Sequence, residues 1–237
     1  DTHAMVVVGR EFVDGNIIKK DTKKAIELFQ QAGDMGNTDA MIKLAECFTR
    51  GDCVPQYKKK VIELYQQAAE MGNIRAMSVL FNYYMKGISV PHDKKKAIDC
   101  YQHAIDKGNT DAMVELGERF ALGCGVPQDK QKAVQLYQRA TGLGKERAMF
   151  MLGECYEKGE GVPQDIWKAI ELYQKAAEKG HTHPLFRLAE CFFQGDCVTQ
   201  DKKKAIELYQ QAADLGDSRA MIRLAFCLKD GDGVEKD

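Results

Sequence analysis

The sequence has no apolar run long enough to cross a bilayer, which takes about 18 residues or more. It has no excess charge of one sign either: 34 Lys and Arg stand against 35 Asp and Glu. No overall field therefore draws the chain to nucleic acid or to an anionic membrane. A Gly-rich phosphate loop, a nucleophile elbow and a His-Glu-x-x-His zinc motif are all missing. So is the basic-then-apolar start of a signal peptide, and the chain does not begin with Met. The eight cysteines include no Cys-x-x-Cys pair, and no nearby His completes a metal site for them. These gaps leave few enzyme classes open and predict no cofactor and no metal.

What the chain does have is a period. Shifted by 36 residues, Ala-Ile-Glu-Leu recurs at Ala25, Ala169 and Ala205, with close variants at Val61, Ala97 and Ala133. Six repeats follow without insertion, at residues 21–56, 57–92, 93–128, 129–164, 165–200 and 201–236. Residues 1–20 match the second half of a repeat, and Asp237 falls where a seventh would start, so residues 1–237 read as one array cut from a longer one. Each repeat reads as two helices. In the sixth, Asp201 is placed to cap a first helix whose apolar residues Ala205, Ile206, Leu208, Tyr209 and Ala212 share one face. Gly216 is placed to end it in the left-handed conformation. A second helix carries Ala220, Met221, Leu224, Ala225 and Leu228 and stops at Gly231. One such pair cannot bury its stripe alone, so neighbouring pairs must stack, and short connections make consecutive helices antiparallel. The in-frame methionines 41, 77, 113, 149 and 221 read as core. So do the helical cysteines, while the glycines are explained by helix termination.

The phrases Ala176-Ala177 with Gly180, then Ala148, Leu152-Gly153 and Tyr156, then Gly159 and Gly161-Val162-Pro163-Gln164-Asp165 resemble Sel1-like repeats, relatives of the tetratricopeptide repeat. The resemblance covers essentially the whole chain. It implies an all-α fold, a right-handed α-solenoid of helix–turn–helix Sel1-like repeats, whose first helices line a concave surface. Departures occur at Cys53, Ser89 and Cys197, which replace a turn glycine, at Thr199 and Glu235, which replace a proline, and at Pro184, which opens a second helix. A cysteine-rich branch of the family staples its helices and resembles penicillin-binding enzymes. Its staples would fall at Ala213 and Met221, or Ala69 and Met77, where no cysteine stands. That argues against a β-lactam hydrolase and leans toward a reducing, cytoplasmic compartment. Cys47/Cys53 and Cys191/Cys197 recur at one spacing and leave a local disulfide open.

The resemblance therefore implies a scaffold or adaptor, not an enzyme, whose partner is a protein or peptide; a β-lactam-type hydrolase, as in the cysteine-rich relatives, or a purely structural spacer is the alternative. With the apolar stripe assigned, positions 3, 7, 11 and 14 of each repeat point away from it, at about 100° per residue. Position 7 gives an acidic row that includes Glu63, Asp99, Glu171 and Glu207. Trp167, the only tryptophan, interrupts a row of lysines at position 3. A tryptophan there is the type of anchor that dominates interface energies. Gln131, Gln135 and Arg139 in the fourth repeat and Lys175 in the fifth stand beside it in the pattern, with His103 on the same row as Arg139. These ten residues are the candidate partner-binding set. The lysine clusters 58–60, 94–96 and 202–204 read as a solvated edge, despite opposing the helix dipole by about a few tenths of a kcal/mol each.

Overall fold

The computed structural model describes residues 1–15, 19–50, 55–179, 182–195 and 199–231. Among them the chain forms thirteen α-helices and no strand. The first six are α1 (Thr2–Asp14), α2 (Thr22–Asp34), α3 (Thr38–Arg50), α4 (Pro55–Glu70), α5 (Ile74–Lys86) and α6 (Lys94–Asp106). Then come α7 (Thr110–Leu122), α8 (Lys130–Gly142), α9 (Glu146–Lys158), α10 (Ile166–Glu178), α11 (Thr182–Gln194), α12 (Lys202–Asp214) and α13 (Ser218–Asp230). Even-numbered helices are the first helices of the repeats and odd-numbered ones the second. The contacts divide into two compact units, Asp1–Ala112 and Met113–Asp237. In the first unit α1 to α6 pack consecutively, and in the second α8 to α13 do the same.

Local chemistry sets the helix ends. The carboxylates of Asp21, Asp93, Asp129, Asp165 and Asp201 accept the amide three residues on, at 2.9–3.1 Å. Each cap satisfies one orphan amide. The second repeat has Tyr57 where the others have that Asp, and there the helix starts earlier, at Pro55, a residue suited to the first turn because it has no amide to satisfy. Pro184 likewise sits in the first turn of α11. The second helices are capped from Asn37, Asn73, Asn109 and Asp217 in the same way.

The core is built from small residues and rings. The alanines at positions 5, 12 and 20 are buried, and the position-9 residues Phe29, Tyr65, Tyr101, Tyr137, Tyr173 and Tyr209 fill the space between helices. Burying such a ring contributes about 2–3 kcal/mol. The helical glycines were expected to serve helix termination, and three do something else. An added Cβ at Gly9, Gly117 or Gly153 would come within 2.5–2.6 Å of the ring of Phe29, Tyr137 or Tyr173. Glycine is there because the aromatic ring of the next first helix lies against the backbone.

Four methionines of the stripe, Met41, Met77, Met113 and Met149, are buried, whereas Met221 is 48% exposed. No first helix covers that face of α13 among the described residues, and Ile222, Phe226 and Leu228 are exposed with it. The cysteines divide too. Cys191 and Cys227 are buried, Cys47, Cys100 and Cys155 are half-buried, and Cys124 is exposed. Cys53, Cys197 and the disulfides considered for them lie outside the described residues, as does His181.

The lysine clusters have a partner that charge alone does not reveal. The position-4 lysines stand over aromatic rings of the preceding second helix: Lys24 over Phe12, Lys60 over Phe48, Lys132 over Phe120, Lys168 over Tyr156 and Lys204 over Phe192. The distances to the ring centres run from 4.1 to 5.7 Å. Each contact contributes about 0.5–1 kcal/mol, which offsets the dipole penalty.

Candidate partner-binding grooves

In each compact unit one pair of consecutive first helices leaves a groove between them, floored by the second helix that joins them. In the first compact unit the groove between α4 and α6 has a volume of about 450 Å³. Gln66 and Glu70 form one wall, and Lys96, Asp99, His103 and Lys107 the other. Leu80 and Tyr84 of α5 make the floor, where the Gln66 amide donates to the Tyr84 hydroxyl at 3.1 Å. In the second unit the groove between α10 and α12 has a volume of about 730 Å³. Gln174 and Glu178 face Lys204, Leu208 and Gln211 across it, over Leu185 and Leu188. Both grooves use the same repeat positions: 10, 13 and 14 from one first helix, and 4, 8, 11 and 15 from the next.

All ten candidate residues are exposed on first helices. Asp99 and His103 line the α4–α6 groove. Glu63 lies on the outer strip of α4, with Lys59 at 3.6 Å. Gln131, Gln135 and Arg139 form a strip along α8, and Trp167, Glu171 and Lys175 the equivalent strip along α10. Trp167 is 71% exposed, so its ring is not folded into its own helix. Glu171 and Lys175 form an ion pair at 2.6 Å. Glu207 stands alone on the α12 strip, outside both grooves.

Sequence reasoning missed positions 4, 8, 10, 13 and 15. A signal for position 10 was present: it is Gln in all six repeats, as Gln30, Gln66, Gln102, Gln138, Gln174 and Gln210. Three of these donate to an Asp one turn on in their own helix, at 2.7–2.8 Å.

The α4–α6 groove also holds a thiol. The Cys100 thiol is pushed up to about 12 by burial and by the neighbouring Asp99 carboxylate, and it donates to the Lys96 carbonyl at 3.1 Å. A thiol held protonated is a poor nucleophile. Among the described residues no group of three or more His, Cys, Asp and Glu side chains is placed to hold a metal. No described helix is long and apolar enough to cross a membrane.

Other ionised groups lie between repeats, where they tie second helices together. Arg75 reaches Glu46 at 2.5 Å, Arg147 reaches Glu118 at 2.6 Å, and Arg223 reaches Glu190 at 2.7 Å. Glu157 accepts from Arg187 and, at 2.7 Å, from the Tyr173 hydroxyl. Burial alone would raise the Glu157 carboxyl, but these hydrogen bonds hold it below the ordinary range. Glu118 goes the other way: burial dominates, and Arg147 does not fully offset it.

Repeated helix pairs, with no strand among the described residues, define an all-α repeat protein. The Sel1 repeat pattern matches residues 2–37, 38–73, 74–109, 110–145, 146–181, 185–217 and 218–237. The chain belongs to the Sel1 repeat family, whose members generally mediate protein–protein interaction. The matched repeats begin with the helix placed second in the reading above. No curated protein matches the chain in sequence. Among solved structures it is similar to a protective antigen of uropathogenic Escherichia coli with an SLR fold, at 27% identity and a TM-score of 0.64. That match covers 100% of this chain and 51% of the antigen, so the chain spans about half its length. A Sel1 repeat protein from Oxalobacter formigenes is 28% identical, with a TM-score of 0.61 over 90% of this chain and 88% of that one. An immunity protein from Pseudomonas aeruginosa, 21% identical with a TM-score of 0.52 over 97% of this chain and 86% of its own, shares the fold.

Proposed function

We propose that the chain is a scaffold that holds a segment of a partner protein along its first helices, in the grooves and on the strips beside them. The observation that carries this reading is the recurrence of one groove at the same repeat positions in both compact units. Each groove presents a glutamine amide on one wall and a lysine on the other, over a largely apolar floor. Such a wall can hydrogen-bond a backbone while the floor takes an apolar side chain. Exposed Trp167 adds an anchor on α10.

The test is affinity capture from the source cell with wild-type protein and two variants, Gln66→Ala/His103→Ala and Trp167→Ala/Lys175→Ala. All four side chains are at most half-buried, so the helical circular dichroism should be unchanged. At least one variant should lose a partner that the wild type retains. Retention of every partner by both variants would exclude the α4–α6 groove and the α10 strip.

A further inference from the structure

The two grooves share their register and differ in their chemistry. At positions 8, 11 and 15 the α4–α6 groove has Cys100, His103 and Lys107, whereas the α10–α12 groove has Leu208, Gln211 and Leu215. A thiol, an imidazole and an ammonium are thus replaced by an isobutyl group, an amide and a second isobutyl group. Over buried Leu185 and Leu188, these leucines make the α10–α12 groove the more apolar of the two. Leu215 is 57% exposed, so part of that apolar surface meets water.

The charges of this groove lie at its two ends. Its α12 wall runs from Lys204 to Asp214, about 15 Å at 1.5 Å per residue. At one end the Lys204 ammonium is drawn over the Phe192 ring, 4.1 Å from its centre. At the other stand two carboxylates, Glu178 and Asp214, the last residues of α10 and α12. The partial negative charge of both helix C-termini adds to theirs. The described cations closest to them in sequence are engaged elsewhere. Lys175 is paired with Glu171 at 2.6 Å, Lys179 donates to the Gly144 carbonyl at 2.8 Å, and Arg219 is held by Asp217 at 2.7 Å. In α2, α6 and α12 the position-10 glutamine is bonded to the Asp at position 14. In α10 that position is Glu178, and among the described residues neither Gln174 nor Glu178 has a hydrogen-bond or ion-pair partner.

We propose that the α10–α12 groove docks an extended segment of a partner protein in which a leucine-sized apolar side chain neighbours an Arg or Lys. The apolar side chain lies on the leucines, and the cation beside Glu178 and Asp214. The inference rests on the groove reading above and adds the partner's chemistry for one of the two grooves. About five extended residues span the α12 wall, and the unengaged Gln174 amide can bond their backbone. Complementary charge supplies selectivity and speeds encounter. A protein segment is favoured over nucleic acid because the same carboxylates repel phosphates.

The test uses two fluorescein-labelled synthetic peptides of equal length with the same central pair of leucines, flanked by Arg in one and by Glu in the other. Binding is read by anisotropy on wild type and on two variants. Glu178→Gln/Asp214→Asn removes both charges and keeps the side-chain shapes, and Leu215→Lys copies the other groove. All three side chains are exposed, so the variants should melt with the wild type. The Arg peptide should bind wild type, weaken on added salt, and weaken about tenfold or more in the double variant. Leu215→Lys should weaken it as well. Equal binding of the Glu peptide, no binding of the Arg peptide, or no change in the double variant would overturn the inference. So would tighter binding of a labelled single-stranded oligonucleotide. Loss of a cellular partner by Gln174→Ala, without any preference for the Arg peptide, would overturn this inference alone and leave the groove reading standing.

Discussion

Gly161→Ala should destabilise the second compact unit by about 3 kcal/mol. The turn before α10 brings Gly161 so close to α8 that an added Cβ would lie 2.4 Å from the Lys130 carbonyl oxygen and 2.6 Å from its carbon. Both are backbone atoms of a helix start, so neither can swing aside. The φ of +76° adds strain for any residue with a Cβ. The same turn in the second repeat shows how the two costs differ. Ser89 occupies the equivalent position at a φ of +59°, so the left-handed conformation alone is tolerated there. The close approach is what makes Gly161 the sensitive site. Thermal unfolding followed by circular dichroism checks this, and an unchanged midpoint would contradict the tight packing of that turn on α8.

Glu157→Ala should lower stability by about 2–3 kcal/mol at neutral pH. The substitution leaves the Arg187 guanidinium and the buried Tyr173 hydroxyl without the carboxylate that joins them across the repeat interface. Because the fold holds this carboxyl below its unfolded value, its contribution is complete above the ordinary carboxylate range. It is lost as pH falls through the lowered folded value. The variant should therefore show its deficit at pH 7 and converge on wild type in acid. Glu118, raised by burial, has the opposite sign: its ionised form costs stability at neutral pH, and acid relieves that cost. Hydroxyl removal provides the control. Tyr173→Phe should cost about 1 kcal/mol, whereas Tyr137→Phe should be neutral within about 0.5 kcal/mol. The Tyr137 hydroxyl is buried with no acceptor among the described residues.

Most of the fold can be read from the sequence because each repeat states the same positions again. One Ala-x-x-x-Tyr stripe is ambiguous, but four in frame, with the variants Ala25/Phe29 and Val61/Tyr65, fix which face is buried, where Asp caps and where glycine ends a helix. What escapes this reading depends on two repeats at once. Gly117 and Gly153 look like helix-ending residues until Tyr137 and Tyr173 are seen against them. The position-4 lysines look like a solvated edge until their rings are found in the preceding helix. The groove walls are of the same kind. Helical periodicity shows which residues face away from the core, and it did mark Asp99 and His103. It does not show that positions 10 and 14 of one helix face positions 4, 8 and 11 of the next, since that depends on the offset between them. Trp167 was legible as an oddity from composition alone.

The central claim is that the partner lies against the first helices. Site-specific photo-crosslinking in the source cell tests it most directly, with a benzophenone side chain placed at Gln66 or Gln174 in the grooves, or at exposed Asn82 or Gln194 on the second helices α5 and α11. Crosslinks to a partner from Gln66 or Gln174 and none from Asn82 or Gln194 are the expected result. The reverse pattern would place the partner on the second helices and contradict the account.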